Sequence, residues 1–209
     1  EVMISLGIRT IREIEMDEPL PLAKLHDAIL EFARNREDIV VFGAHAVNAY
    51  SDEPRMTQDV DLLTLNAEST AEQLRSQLAE TFNAAIRTRE LIAGSAYRVY
   101  QLSKPRNRHL ADVRAVAVLP PVNRVQGISV PIPAELIAQK VISMTARHGQ
   151  PKAGSDWRDI ATLLLIFPSL KNSQGEVDHR LEANNASEHA IAEWRSIVER
   201  EILPDNEEY

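Results

Sequence analysis

The spacing of apolar residues along the first 130 positions changes repeatedly between the period of a helix and the period of a strand. Residues 20–35 carry apolar side chains three and four positions apart, which is typical of an amphipathic helix. Short β-branched or alternating runs predict strands. In chain order we predict a helix at 20–35, a strand at 38–42, a helix at 44–50, a strand at 59–65, a helix at 69–82 with Ser69 or Thr70 as N-cap, and strands at 85–91, 96–102, 109–119 and 128–132.

After residue 132 the pattern becomes helical. Pro133 suits a first helical position, and apolar residues continue in helical register to residue 147. We then predict a loop at 148–155, a helix at 156–166 that ends before Pro168, and a helix at 187–202 with Ser187 as N-cap. Residues 171–185 are polar and poorly periodic, so they receive no assignment. The pattern therefore predicts an α/β half to about residue 130 followed by a helical tail.

Composition excludes several classes of protein. The 209 residues include no cysteine, which removes disulfides, thiolate catalysis and cysteine-type zinc sites. An apolar fraction of 44% excludes a wholly disordered chain. No apolar run approaches the roughly 20 residues that cross a bilayer, so we expect no membrane partner. These features predict a soluble protein of a reducing compartment, the cytoplasm.

The net charge of −8 hides an uneven distribution. Residues 1–80 carry 7 basic and 16 acidic side chains, residues 81–158 carry 12 and 4, and residues 159–209 carry 4 and 11. The basic middle third includes side chains on adjacent predicted strands and in the turn after them: Arg87, Arg89, Arg98, Lys104, Arg106, Arg108 and His109. They form a track for a polyanion such as RNA, or alternatively an exposed hairpin whose charges only balance the acidic segments.

Two aspartates on one predicted strand are the strongest chemical signal. Asp59 and Asp61 are two residues apart, so their side chains point to the same face. Asp112 lies in a later alternating strand and is the only acid between Glu90 and Glu135. Three such carboxylates can hold Mg²⁺ ions for phosphoryl transfer, whereas two solvated acids on an edge strand would have no such role. The six histidines show no metal-ligand spacing.

A glycine turn precedes this aspartate pair by 16 residues. The strand that ends at Phe42 leads into Gly43, where backbone N–H groups can approach a phosphate closely. Apolar strand, glycine turn, Asp-x-Asp and a third acid together resemble the DNA polymerase β-like nucleotidyltransferases. Residues 55–62 are similar to the AbiEii-type branch, which includes many toxins of toxin–antitoxin pairs. The helix from Lys140 to Arg147 and the segment Lys152 to Asp159 resemble later elements of that branch, so the likeness covers about residues 25–170.

The resemblance implies an α+β fold: a small mixed nucleotidyltransferase sheet flanked by helices over residues 1–130, then a helical domain over 131–209 that completes the site. It implies transfer of a nucleoside monophosphate (NMP) from a nucleoside triphosphate (NTP) to an acceptor hydroxyl, with Mg²⁺ or Mn²⁺ as cofactor. The basic middle third favours RNA or tRNA as acceptor, and an antitoxin is an expected partner. The implied site residues are Asp59, Asp61 and Asp112 for metal, Lys140 with them for catalysis, and Gly43, Ala44, Arg55, Thr57, Arg147, Lys152, Asp156 and Asp159 for the nucleotide.

Two positions depart from the family pattern. Ala44 replaces the second glycine or serine of the turn, and Ser155 replaces an arginine before Asp156. Ala44 keeps the backbone N–H but offers no hydroxyl, which leaves open a non-catalytic module that binds a nucleotide or a partner. A phosphotransferase that uses Asp156 and Asp159 is also left open, as is a structural role for these two acids near a helix start.

Overall fold

The structure is a computed structural model that describes residues 21–204. Its elements follow the predicted order of helices and strands closely. They are α1 (Leu22–Ala33), β1 (Ile39–Phe42), α2 (Gly43–Asn48), β2 (Val60–Thr64), α3 (Ala67–Phe82), β3 (Ile86–Ile92), β4 (Ala96–Gln101), β5 (Arg108–Ala115), β6 (Val122–Val125), β7 (Ile128–Pro131), α4 (Pro133–Ala146), α5 (Pro151–Ile166), a 3₁₀ turn (Pro168–Leu170), α6 (Glu176–Ala183) and α7 (Glu188–Glu199). The predicted start of the first helix, Leu20, lies outside the described residues.

Five strands form a mixed sheet in the order β1-β2-β5-β4-β3. Only the central pair, β2 and β5, is parallel, and its register places Asp61 opposite Asp112. All other neighbours are antiparallel. The predicted α+β fold with a small mixed sheet and a C-terminal helical region is therefore confirmed.

Helices α1 and α3 pack against the sheet and provide its apolar core. In β2, Val60 and Leu62 are fully buried, while Asp61 between them faces the other side. Helix α3 begins two residues before the predicted cap, because the side chain of Asn66 accepts a hydrogen bond from the backbone N–H of Ser69. The prediction of Ser69 or Thr70 as N-cap was therefore wrong.

The described residues fall into two compact units. The first comprises residues 21–45, 56–119 and 124–130 and contains the five-stranded sheet. The second comprises residues 46–55, 120–123 and 131–204, and in it α4 packs against α5, α6 and α7. Trp194, Leu181 and Ile137 are among the buried residues that form its core. The predicted domain boundary at residue 130 stays a prediction.

One local prediction in the C-terminal half is wrong, and two elements there were not predicted. Helix α5 begins at Pro151, so most of the predicted loop at 148–155 is helical. Pro151 is well suited to the first helical turn, where its missing N–H costs nothing. The loop was predicted because proline and glycine close together, here Pro151 and Gly154, also occur in loops. The unassigned stretch 171–185 contains α6, and a short strand, β6, was missed because its exposed residues do not alternate with apolar ones.

Candidate active site

Charged side chains form a row across the sheet of the first unit. The register of neighbouring strands places Asp61 beside Asp112 and Asp112 beside Arg98. Asp59 lies two residues before Asp61, just ahead of β2. The backbone carbonyl oxygen of Asp59 accepts a hydrogen bond from Thr57 Oγ1 at 3.0 Å. Cross-strand partners point to the same face of a sheet, so Asp61 and Asp112 share one face. Asp59 joins this group through His109, whose Nδ1 lies 3.1 Å from Asp59 Oδ2.

Gly43 is a glycine because the Asp61 carboxylate lies against its Cα. Gly43 has a φ of +66°, and a Cβ built at this position would overlap Asp61 Oδ2 and lie 3.2 Å from its Cγ. Both the backbone conformation and the space therefore favour glycine. The predicted glycine turn is thus in contact with the second aspartate of the pair, while Ala44 is the next residue of α2.

A β-bulge brings His109 to the carboxylates. Residues three apart in a regular strand point to opposite faces, yet His109 Nε2 lies 2.9 Å from Asp112 Oδ1. The β4–β5 register shifts between Val99 and Tyr100: Val99 pairs with Ala111, whereas Tyr100 pairs with His109. The extra residue in β5 is Leu110, and such bulges redirect side chains next to functional sites. We call Asp59, Asp61, Asp112 and His109 the carboxylate cluster.

Asp112 is buried and held by the side chains of Arg98 and His109. Arg98 donates through Nε to Oδ1 at 2.9 Å and through Nη2 to Oδ2 at 3.0 Å, and His109 contacts Oδ1 as well. Burial alone would raise the pKa of Asp112, but the hydrogen bonds and charges of His109 and Arg98 outweigh it and hold that pKa well below its usual range. The carboxylate is therefore ionised, as a metal ligand must be.

The donor atoms of the carboxylate cluster fit a divalent metal ion. One ligand atom each from Asp59, His109 and Asp112 lie within 4.8 Å of one another. Carboxylate oxygens suit hard divalent cations, and imidazole adds a nitrogen donor. Asp61 lies beside this group with its carboxylate against Gly43, so its role as a ligand stays a prediction.

Five of the predicted nucleotide-binding and catalytic residues meet in the second unit. Asp159 accepts two hydrogen bonds from Arg55, at 2.8 and 3.0 Å, and its Oδ2 lies 2.6 Å from Lys140 Nζ. Asp156 contacts Lys140 at 3.2 Å and Arg147 at 3.0 Å. We call these five residues the ion-pair network. Lys140 joins its two halves because its ammonium group contacts both carboxylates.

Both acids of the ion-pair network are buried, which bears on the earlier alternative of a structural role near a helix start. The side chains of Asp156 and Asp159 are 4% and 1% exposed. Because α5 begins at Pro151, neither acid lies in its first turn, and the alternative based on the helix dipole is wrong. Buried acids need cationic partners, and three cations here face two carboxylates. Lys152, also predicted to contact the nucleotide, is exposed and lies outside the network.

Sequence reasoning missed the role of two residues in the first unit. The charge pattern assigns Arg98 and His109 to a basic track, whereas the structure places both on Asp112. Their charges are visible in the sequence. The bulge at Leu110 is not, because strand spacing alone places His109 on the face opposite Asp112.

The geometry agrees with a comparison of the chain with known families. Residues 27–208 match the family described as the nucleotidyl transferase AbiEii toxin of type IV toxin–antitoxin systems. The chain belongs to this family of nucleotidyltransferases. None of the curated proteins matches the chain.

Solved structures share the fold at low sequence identity. The Megavirus polyadenylate synthase has a TM-score of 0.59 at 12% identity over 79% of this chain and 35% of its own, so the chain spans about a third of its length. The antibiotic-resistance factor ANT(2'')-Ia has a TM-score of 0.51 at 16% identity over 83% and 96%. JHP933 from Helicobacter pylori has a TM-score of 0.50 at 13% identity over 85% and 88%. At these identities the likeness concerns the fold alone.

Within residues 21–204, helices of sufficient length and apolar character to cross a membrane are absent.

Proposed function

We propose that the protein transfers an NMP group from an NTP to a hydroxyl group on RNA, with tRNA as the first acceptor to test. The cofactor in this proposal is Mg²⁺, or Mn²⁺ in its place. The observation that carries the proposal is the carboxylate cluster, in a chain that belongs to the AbiEii family. The proposed metal ligands of this cluster are Asp59, Asp61 and Asp112.

Each part of the cluster has a distinct task in this reaction. Divalent ions, when bound, stabilise the charge of the transferring phosphoryl group and activate the attacking hydroxyl. Asp59 and Asp61 hold them, and Asp112 completes the set. Gly43 allows Asp61 to approach the backbone, and the N–H groups around Gly43 and Ala44 are proposed to bind the triphosphate together with Thr57.

The ion-pair network is proposed to offset phosphate charge. Its three cations exceed its two carboxylates by one positive charge. Arg147 and Arg55 remain 32% and 25% exposed, so both guanidinium groups can reach an anion while they hold Asp156 and Asp159. A fixed positive group near a phosphoryl group stabilises the charge that develops during transfer. Lys140 is proposed to act here, and Lys152 to extend the network at the surface.

RNA is the proposed acceptor because of the basic middle third. Residues 81–158 carry a net charge of +8, and among its cations Arg89 and Lys104 are exposed. Polyanions bind such surfaces by neutralisation of phosphates. One protein with the same fold is the Megavirus polyadenylate synthase, whose name describes the synthesis of a polynucleotide.

An antitoxin is the proposed protein partner. The family description itself names type IV toxin–antitoxin systems, and this is the support for the assignment. Co-expression with the product of a small neighbouring gene tests it: growth arrest by the chain alone, relieved by that product, is expected. Growth that is unaffected by the active chain would contradict the toxin role.

A labelling experiment tests the reaction. The full chain is incubated with each α-labelled NTP, Mg²⁺ or Mn²⁺ and total RNA, alongside Asp59→Ala and the matched control Asp52→Ala. Asp52 is an exposed acid outside the carboxylate cluster. We expect label on RNA with the wild type and Asp52→Ala, and its loss by a factor of about 100 or more with Asp59→Ala.

Other outcomes point to other functions. Label on protein or on a small molecule, with RNA unlabelled, would replace the acceptor but keep the reaction. Transfer of a γ-label would indicate a phosphotransferase. NTP-dependent thermal stabilisation without release of pyrophosphate would indicate a binding protein that has lost turnover. Equal labelling by wild type and Asp59→Ala would refute the assignment of the site.

A further inference from the structure

His109 lies between two carboxylates, and a neutral imidazole ring cannot satisfy both. Its Nδ1 lies 3.1 Å from Asp59 Oδ2, and its Nε2 lies 2.9 Å from Asp112 Oδ1. A neutral ring has one N–H, so it donates to one carboxylate and turns a lone pair toward the other. A lone pair that faces a carboxylate oxygen is repelled unless a cation, either a second proton or a metal ion, lies at that nitrogen.

Arg98 determines which nitrogen is available for a metal ion. Its guanidinium holds both oxygens of Asp112, which is itself buried. This fixed carboxylate is a suitable acceptor for an N–H group at Nε2 of His109. Metal-binding histidines usually donate their second ring N–H to such a carboxylate, which sets the tautomer and the direction of the ring. Nδ1, which faces Asp59, is then the nitrogen whose lone pair is available to bind a metal ion.

The spacing of the two donor atoms fits one coordination shell. Ligands bonded at about 2.1 Å and at right angles to each other lie about 3 Å apart. Asp59 Oδ2 and His109 Nδ1 have this separation, at 3.1 Å. Their side chains are 30% and 26% exposed, so water or a phosphate can complete the shell. Asp112 Oδ1 contacts both Arg98 and His109, whereas the one hydrogen bond from Arg98 to Oδ2 leaves that oxygen with capacity for a metal ion.

We infer that His109, through Nδ1, is a ligand of the ion that Asp59 holds, with Asp112 and Arg98 as positioning residues for the ring. An imidazole nitrogen suits first-row transition ions better than Mg²⁺, which takes oxygen ligands, so of the two proposed cofactors Mn²⁺ accommodates this mixed set better. The inference rests on the proposed function, because it assigns the metal of that same site. It adds a ligand that the spacing of the six histidines in the sequence did not indicate.

Metal binding by the full chain tests the inference without any measurement of turnover. Mn²⁺ and Mg²⁺ alone are titrated by calorimetry into wild type, His109→Gln, Asp59→Asn and the control His148→Gln, which changes an exposed histidine of the second unit. Pulsed electron paramagnetic resonance of the Mn²⁺ complex then detects a coordinated imidazole nitrogen. Wild-type protein with ¹⁵N-labelled histidine shows, without any substitution, whether a histidine nitrogen coordinates the ion. Among residues 21–204, His109 is the histidine that lies in a group able to hold a metal ion.

We expect a nitrogen signal in wild type and His148→Gln that ¹⁵N-histidine shifts and His109→Gln abolishes. We also expect His109→Gln to weaken Mn²⁺ binding about tenfold or more and to leave Mg²⁺ binding less affected. Mn²⁺ binding that depends on Asp59 but has no nitrogen signal would overturn the inference and leave the proposed function standing. Absence of Mn²⁺ and Mg²⁺ binding in wild type would instead remove the metal centre of the proposed function, and this inference with it.

Discussion

At the scale of single residues, Gly43 carries two constraints that can be separated. Its φ is +66°, and a side chain there would collide with the carboxylate of Asp61. Gly94 has almost the same φ, +64°, but a Cβ at that position would point into open space. The two glycines therefore form a natural pair, in which only Gly43 combines backbone strain with a clash at the site.

We expect Gly43→Ala to lower the free energy of unfolding by about 2–4 kcal/mol and Gly94→Ala by about 1 kcal/mol. Only Gly43→Ala displaces Asp61, so only it should also lower nucleotidyl transfer. Urea denaturation and the labelling assay measure the two effects. Equal losses of stability in the two variants would contradict the contact between Gly43 and Asp61.

Asp159 is the second residue whose environment makes a measurable prediction. Burial would raise its pKa, but the hydrogen bond from Arg55 and the charge of Lys140 outweigh burial and lower that pKa. A carboxyl group whose pKa is lowered by folding stabilises the protein above its unfolded pKa, and this contribution is lost as the pH falls toward the folded pKa.

We expect Asp159→Asn to be less stable than wild type by about 3 kcal/mol at pH 7, because it removes the buried carboxylate charge that Arg55 and Lys140 both contact. The difference should shrink as the pH falls below about 4, because the unfolded chain then takes up a proton at Asp159 while the lowered pKa keeps the folded protein ionised. Urea denaturation at a series of pH values measures both variants, with the exposed Asp52→Asn as control. A difference that stays constant down to pH 3 would rule out this explanation.

At the scale of elements, the start of helix α3 shows how a cap is chosen. Asn66 and Ser69 both suit an N-cap by residue type, and the structure uses the Asn66 side chain. The Ser69 hydroxyl accepts instead from Gln73, one turn along the exposed face. The helix packs against the sheet that carries the carboxylate cluster, so its first turn contributes to the stability of that unit.

We expect Asn66→Ala to lower the free energy of unfolding by about 1 kcal/mol, because the N–H of Ser69 loses its acceptor. Ser69→Ala should change it by less than about 0.5 kcal/mol, as an exposed substitution outside the cap does. Thermal and urea denaturation measure both. The reverse order of the two effects would mean that the cap lies at Ser69.

At the scale of the whole molecule, charge is the property that bears on the acceptor. The chain is acidic in total, yet the segment 81–158 has a net charge of +8. Exposed cations exist both in this segment and in the acidic ones, which makes a matched comparison possible. Arg89 and Lys104 belong to the basic segment, and Lys24 and Arg195 to the acidic ones, and all four side chains are exposed.

We expect the double variant Arg89→Ser and Lys104→Ser to weaken RNA binding and to lower the slope of log affinity against log salt by about 0.7 per lost phosphate contact. The control, Lys24→Ser with Arg195→Ser, removes the same two types of charge and should leave the slope unchanged. Fluorescence anisotropy with labelled tRNA at several salt concentrations measures both. Equal slopes in the two double variants would remove the basic segment from the RNA-binding surface.

The sequence by itself determined two things: the local secondary structure and the family to which the motifs belong. The order of helices and strands followed from periodicity, because each element repeats its apolar spacing within a few residues. Strand alternation predicted that Asp59 and Asp61 share a face, and the motif around them identified the family that residues 27–208 match. These signals need no knowledge of which distant segments meet.

Only the tertiary structure decided which distant residues meet. The parallel pairing of β2 with β5 sets Asp61 beside Asp112, and Arg55 reaches Asp159 across 104 residues of sequence. The bulge at Leu110 turned His109 from the opposite face toward Asp59 and Asp112. Register and bulges depend on pairing between strands that are far apart in the chain, and a shift of one residue reverses every side chain beyond it. For that reason the sequence located the carboxylates of this site, while the fold determined their partners.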